Sequence, residues 1–118
     1  MEGLGLLEPV ETDGSRAVSV DGKNFVVKYV VTFNYGKAYE HWTIEIHNPS
    51  QPDAVVASVI RTPGSYGYEY GLYELAFLQN NELMDTFAKD WGDDVIGYLS
   101  EEEVLRWINR MLYELGDL

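Results

Sequence analysis

The chain has 118 residues, enough for one domain around a single core and too few for two. Hydrophobic residues make up 46% and aromatic residues 14%, which excludes a wholly disordered polypeptide. There is no cysteine, so disulfides, thiolate metal sites and thiol nucleophiles are excluded, and 20 acidic against 8 basic residues give a net charge of −12.

That charge narrows the partners. Bare nucleic acid and anionic lipid both bind through cations, so direct contact with either is disfavoured. A protein partner with a basic surface is favoured, including the nucleic-acid-binding face of another protein. Acidity also serves plain solubility. No apolar run approaches membrane length, and no basic start leads into an apolar stretch as in a signal peptide, so a cytoplasmic location is expected.

In chain order, residues 1–14 read as an arm punctuated by Gly3, Gly5, Pro9 and Asp13-Gly14. It is either flexible or docked at a sheet edge through Leu6, Leu7 and Val10. Residues 15–118 read as one α+β domain. Residues 17–20 suit a short strand, and Asp21-Gly22 a hairpin turn. Residues 24–35 alternate strongly: Phe25, Val27, Tyr29, Val31, Phe33 and Tyr35 share one apolar face, and the other face is mixed. Residues 39–47 alternate likewise, with Trp42, Ile44 and Ile46 opposite His41, Thr43, Glu45 and His47.

Residues 48–53 contain two prolines and predict a loop. The β-branched run 54–61 predicts a strand, and 62–71 a connection rich in glycine and tyrosine. Residues 72–79 and 82–87 form a hairpin across Asn80-Asn81, because asparagine tolerates the positive φ of tight turns. Residues 88–98 read as irregular and acidic. A helix is then predicted over 101–115. Ser100 and Glu103 supply a capping box, and Leu99 and Val104 a hydrophobic staple. Val104, Leu105, Trp107, Ile108, Met111, Leu112 and Leu115 make one apolar stripe. Glu102–Arg106 and Arg110–Glu114 fall at ion-pair spacing, and Gly116 is the expected stop. Short connections favour antiparallel pairing, so the expected fold is a meander of about five or six strands with the helix packed on one face.

Catalytic signatures are scarce. Gly64-Ser65-Tyr66-Gly67 lacks the lysine of a phosphate loop, and no GxSxG elbow is present. His41 and His47 are six strand residues apart, about 20 Å, too far to share a metal ion. Glu45 beside His47 supplies only two ligands. Asp90, Asp94 and Glu101 fall at calcium-loop positions, but Val95 stands where that loop needs glycine. Neither a metal nor a cofactor is expected.

Two surface features stand out. Tyr66, Tyr68 and Tyr70 alternate within a glycine-rich segment, the composition of binding loops, because tyrosine offers wide contact area with few rotors. Residues 82–103 carry eight acids against Lys89 alone, a net −7 over 22 residues. Glu101 and Glu103 suit the helix start. Glu82, Asp85, Asp90, Asp93, Asp94 and Glu102 exceed that need and are candidate partner contacts, imitating a phosphate row in a basic groove.

The stretches 73–83 and 94–104, reading YELAFLQNNEL and DVIGYLSEEEV, resemble the ends of small phage- and prophage-encoded proteins of uncharacterised function. The resemblance covers about the last third of the chain and implies a mobile-element protein acting by binding in the host cytoplasm. It carries over no catalytic residue. The expected function is a non-enzymatic acidic protein that binds and inhibits a host protein with a basic surface. A nucleic-acid enzyme, or a defence complex in the manner of an anti-CRISPR, would present such a surface. The alternatives are a self-associating structural or accessory protein, such as a homodimer, and a small enzyme using carboxylates and histidine.

Overall fold

Alternation along the second strand decides the sheet. In the computed structural model, which describes residues 5–7, 14–20, 22–46 and 55–115, Phe25, Val27 and Tyr29 are buried while Asn24, Val26 and Lys28 face solvent. The strands are β1 (Gly14–Val20), β2 (Lys23–Asn34), β3 (Lys37–Ile46), β4 (Val55–Arg61), β5 (Tyr73–Gln79), β6 (Glu82–Leu83) and β7 (Val95–Leu99). Consecutive strands β1 to β6 pair antiparallel in sequence order, as expected for short connections. The outer edge of β5 is split. β6 pairs with its end at Leu78 and Gln79, and β7 with its beginning from Tyr73 to Ala76.

One sheet face carries Val18, Val27, Trp42, Ile44, Ala57, Val59, Leu75 and Phe77, all buried. α2 (Glu101–Glu114) covers that face with Val104, Leu105, Ile108, Met111 and Leu112. The fold is therefore a two-layer α+β domain, with most of its sheet antiparallel. No described helix is long and apolar enough to cross a membrane. Ser100 caps α2 as its sequence predicts. Its hydroxyl accepts from the Glu103 amide at 3.2 Å, and the Glu103 carboxylate accepts from the Ser100 amide at 3.0 Å.

The arm contributes to the core. Leu6 and Leu7 are buried, in a turn rather than a strand. The Leu7 amide donates to Glu101 Oε2 at 2.7 Å, and the Arg16 guanidinium donates to the carbonyls of Gly5 and Leu6. The edge strand considered for this segment is thus not formed by Leu6 and Leu7. Val10, His47, the 48–53 loop and Gly116 lie outside the described residues.

Four other expectations need correction. Phe33 and Tyr35 are 72% and 94% exposed, although they continue the buried face of β2. The β2–β3 hairpin runs beyond its cover, and Tyr35 sits in its turn at φ 53°. Residues 82–87 form only a two-residue strand, because the chain then turns inward to bury Phe87. Residues 88–98 are ordered: α1 (Ala88–Trp91) sets Trp91 against Phe87, Phe77 and Trp107, with ring centres 5.3–6.0 Å apart, and β7 follows. Arg110 lies over the Phe87 and Trp107 rings at 5.6 Å, so the Arg110–Glu114 pair does not close.

Candidate functional site

The connection between β4 and β5 starts with a tight turn. The Ser65 amide and hydroxyl both donate to the Thr62 carbonyl, at 2.9 and 2.8 Å. The chain then coils through a 3-10 turn at Tyr68–Tyr70, closed by Leu72 N–H donating to the Gly67 carbonyl at 3.0 Å. A 3-10 turn has three residues per cycle, so alternate side chains no longer share a face. Tyr66 and Tyr70 are 58% and 74% exposed, while Tyr68 turns partly inward. The three tyrosines expected to act together are therefore reduced to two.

The third ring comes from β7. Tyr73 pairs with Leu99 and Leu75 with Ile96, so one residue of β5 lies opposite two of β7, Gly97 and Tyr98. This is a β-bulge, which re-aims the side chains at the irregularity. Tyr98 adopts φ 59°, a left-handed conformation that is a true outlier for so bulky a residue. It is 55% exposed, and its ring packs against Tyr66 at 6.5 Å and Tyr70 at 6.3 Å.

Two glycines make the contact possible. A Cβ on Gly97 would collide with the Tyr66 side chain, and one on Gly67 would lie 2.9 Å from Tyr98 Cα. The Tyr98 amide donates to the Tyr66 carbonyl at 3.2 Å, and the Tyr66 amide donates to Glu74 Oε1 at 3.2 Å. Backbone and rings thus lock loop and bulge together. Glu69, next to Tyr70 in the 3-10 turn, is exposed. Strain of order 1–3 kcal/mol persists only where surroundings over-determine it, and such residues concentrate at functional sites.

The acidic residues are distributed over several elements. Glu82 on β6, Asp85, Asp90 on α1, Asp93 before β7 and Glu102 in the first turn of α2 are exposed, and Asp94 is partly covered. The Asp94 amide donates to Asp93 Oδ1 at 2.7 Å. Glu101 and Glu103 are engaged with Leu7 and Ser100. The Ser100 backbone and hydroxyl hold the Glu103 carboxyl below the usual range. Among the described residues, no three acids or histidines come close enough to hold a metal ion. The exposed acids form a dispersed field rather than a chelating cluster.

The sheet face opposite α2 bears a cavity of about 390 Å³ lined by His41, Thr43, Val56, Ser58, Leu78, Asn80 and Asn81. His41 Nε2 and Ser58 Oγ are hydrogen-bonded at 2.8 Å, and partial desolvation pushes the imidazole below its ordinary pKa. No carboxylate is among these described lining residues.

Comparison with known proteins returned no match to a family model, a curated protein or a solved structure.

Proposed function

We propose that this protein is a non-enzymatic binding module that docks on a basic surface of another protein through Tyr66, Tyr70 and Tyr98. The observation that supports this reading most is Tyr98, held in left-handed strain by a bulge and two glycines so that its ring lies outside the core. Exposed tyrosines make good anchors because they bury large area at low rotamer cost. The acidity of the chain, a net −12, accelerates encounter with a basic partner. Inhibition of a host nucleic-acid enzyme or defence complex by a mobile-element protein is the biological role that fits this chemistry.

The test is binding kinetics against a captured partner. Lysine at Asp93, Asp94 and Glu102 should slow association, and high salt should shrink the difference. Alanine at Tyr66 and Tyr70 should instead hasten dissociation. Folded variants of both kinds that bind as wild type does would overturn the proposal. A self-associating role draws on exposed Val26 and Val30 of the sheet face opposite α2. A dimer in sedimentation, lost on Val30→Lys, would favour it.

A further inference from the structure

Two aromatic clusters of the protein carry their own guanidinium. The Arg61 carbon Cζ lies 4.9 Å from the Tyr73 ring centre and 5.6 Å from Trp42. Arg110 lies 5.6 Å from both Phe87 and Trp107. The cluster of Tyr66, Tyr98 and Tyr70 differs. Its rings are more exposed, yet among the described residues no arginine or lysine stacks on them. The sequence carries no basic residue from Thr62 to Ala88, while Glu69 adjoins Tyr70 in the 3-10 turn and Glu74 accepts from the Tyr66 amide. The surface thus offers electron-rich ring faces and carboxylates, but no cation of its own.

We propose that the Tyr66–Tyr70–Tyr98 patch receives an arginine side chain of the partner protein, with Glu69 as its carboxylate neighbour. This deepens the docking role above and rests on it. Ring faces attract cations, and the attraction grows when a bound partner excludes water. Arginine suits the site better than lysine. Its planar guanidinium stacks on a ring while its N–H edge reaches a carboxylate, and it sheds water more readily than an ammonium.

The experiment compares two capped peptides of equal length and charge, one with three arginines spaced by glycine and serine, the other with three lysines. Binding to the full chain is read by calorimetry at about 0.15 M salt, where distant charges are screened. The arginine peptide should bind about fivefold tighter, which is about 1 kcal/mol. Tyr98→Leu should bring the two affinities together, Tyr98→Phe should keep the preference, and Glu69→Gln should weaken both peptides. Tyr70→Leu repeats the test should Tyr98→Leu prove unstable. Equal affinities in the wild type, or a preference that survives both leucine variants, would overturn the arginine assignment. If Tyr98→Leu nevertheless abolished capture of a protein partner, the docking role would stand without it. If Tyr98→Leu left that capture unchanged, the docking role itself would fall.

Discussion

Arg61 Nε donates to Glu40 Oε1 at 2.8 Å, and this pair anchors the polar end of an otherwise apolar sheet face. Tyr29 donates to the second oxygen, Glu40 Oε2, at 2.7 Å, and Arg61 reaches the Tyr73 hydroxyl at 3.2 Å. Burial first, then the Glu40 carboxylate, raises the Tyr29 phenol well above its ordinary pKa, so it stays a donor. Arg61→Met should cost about 3 kcal/mol, the low end for breaking a buried pair, because the arginine is partly exposed. Adding Glu40→Leu together with Tyr29→Phe should recover most of that loss, since neither a charge nor an unpartnered hydroxyl then remains buried. Urea unfolding of the single and triple variants checks this, and a triple variant weaker than the single one would contradict it.

Tyr98 reverses the usual order of glycine and alanine. In a strand, glycine is normally the less stable residue. At φ 59° a Cβ costs roughly 1–2 kcal/mol, so Tyr98→Gly should be more stable than Tyr98→Ala by about 1 kcal/mol. Thermal melts of the two variants decide it. An alanine variant equal to or better than glycine would show that the left-handed conformation is not held in solution.

Ser100→Ala removes the acceptor for the Glu103 amide and should cost roughly 0.5–2 kcal/mol. The effect should depend on pH. The folded Glu103 carboxyl lies below its ordinary value, so its contribution is present above the usual glutamate range and lost as pH falls through the depressed value. The Ser100 amide, the larger cause, survives in the variant, so both proteins should lose stability in acid and the gap between them should narrow only in part. A gap that widens on acidification would contradict the assignment.

Leu6→Ala should destabilise the domain by roughly 2–5 kcal/mol, as much as Ile108→Ala in α2, because both side chains are fully buried. Equilibrium unfolding measures each. A Leu6 variant with an unchanged midpoint would mean that the arm is not part of the core.

The strands and helix that were legible share one property: their signals are local. Alternation over β2 needs only its own residues, and the capping box of α2 lies within Ser100 to Glu103. Alternation identifies a face but does not say whether anything covers it, so it does not distinguish exposed Phe33 and Tyr35 from buried Tyr29. β7 escaped because its bulge breaks the alternation in Val95–Leu99. Tyr98 escaped for a stronger reason. Its position depends on Tyr66 and Gly67, about thirty residues earlier, and nothing in a tyrosine announces positive φ. Gly97 was the only local sign, readable as a place where another chain segment approaches closely.

The bond from the Leu7 amide to Glu101 Oε2 spans 94 positions of the chain. On a ribosome adding about 5–20 residues each second, Leu6 and Leu7 would leave the exit tunnel several seconds before the carboxylate they require. During that interval two leucines destined for the interior have no helix to meet. The meander can pair strand by strand as it emerges, but the layer covering it closes only when Leu6 and Leu7 meet α2.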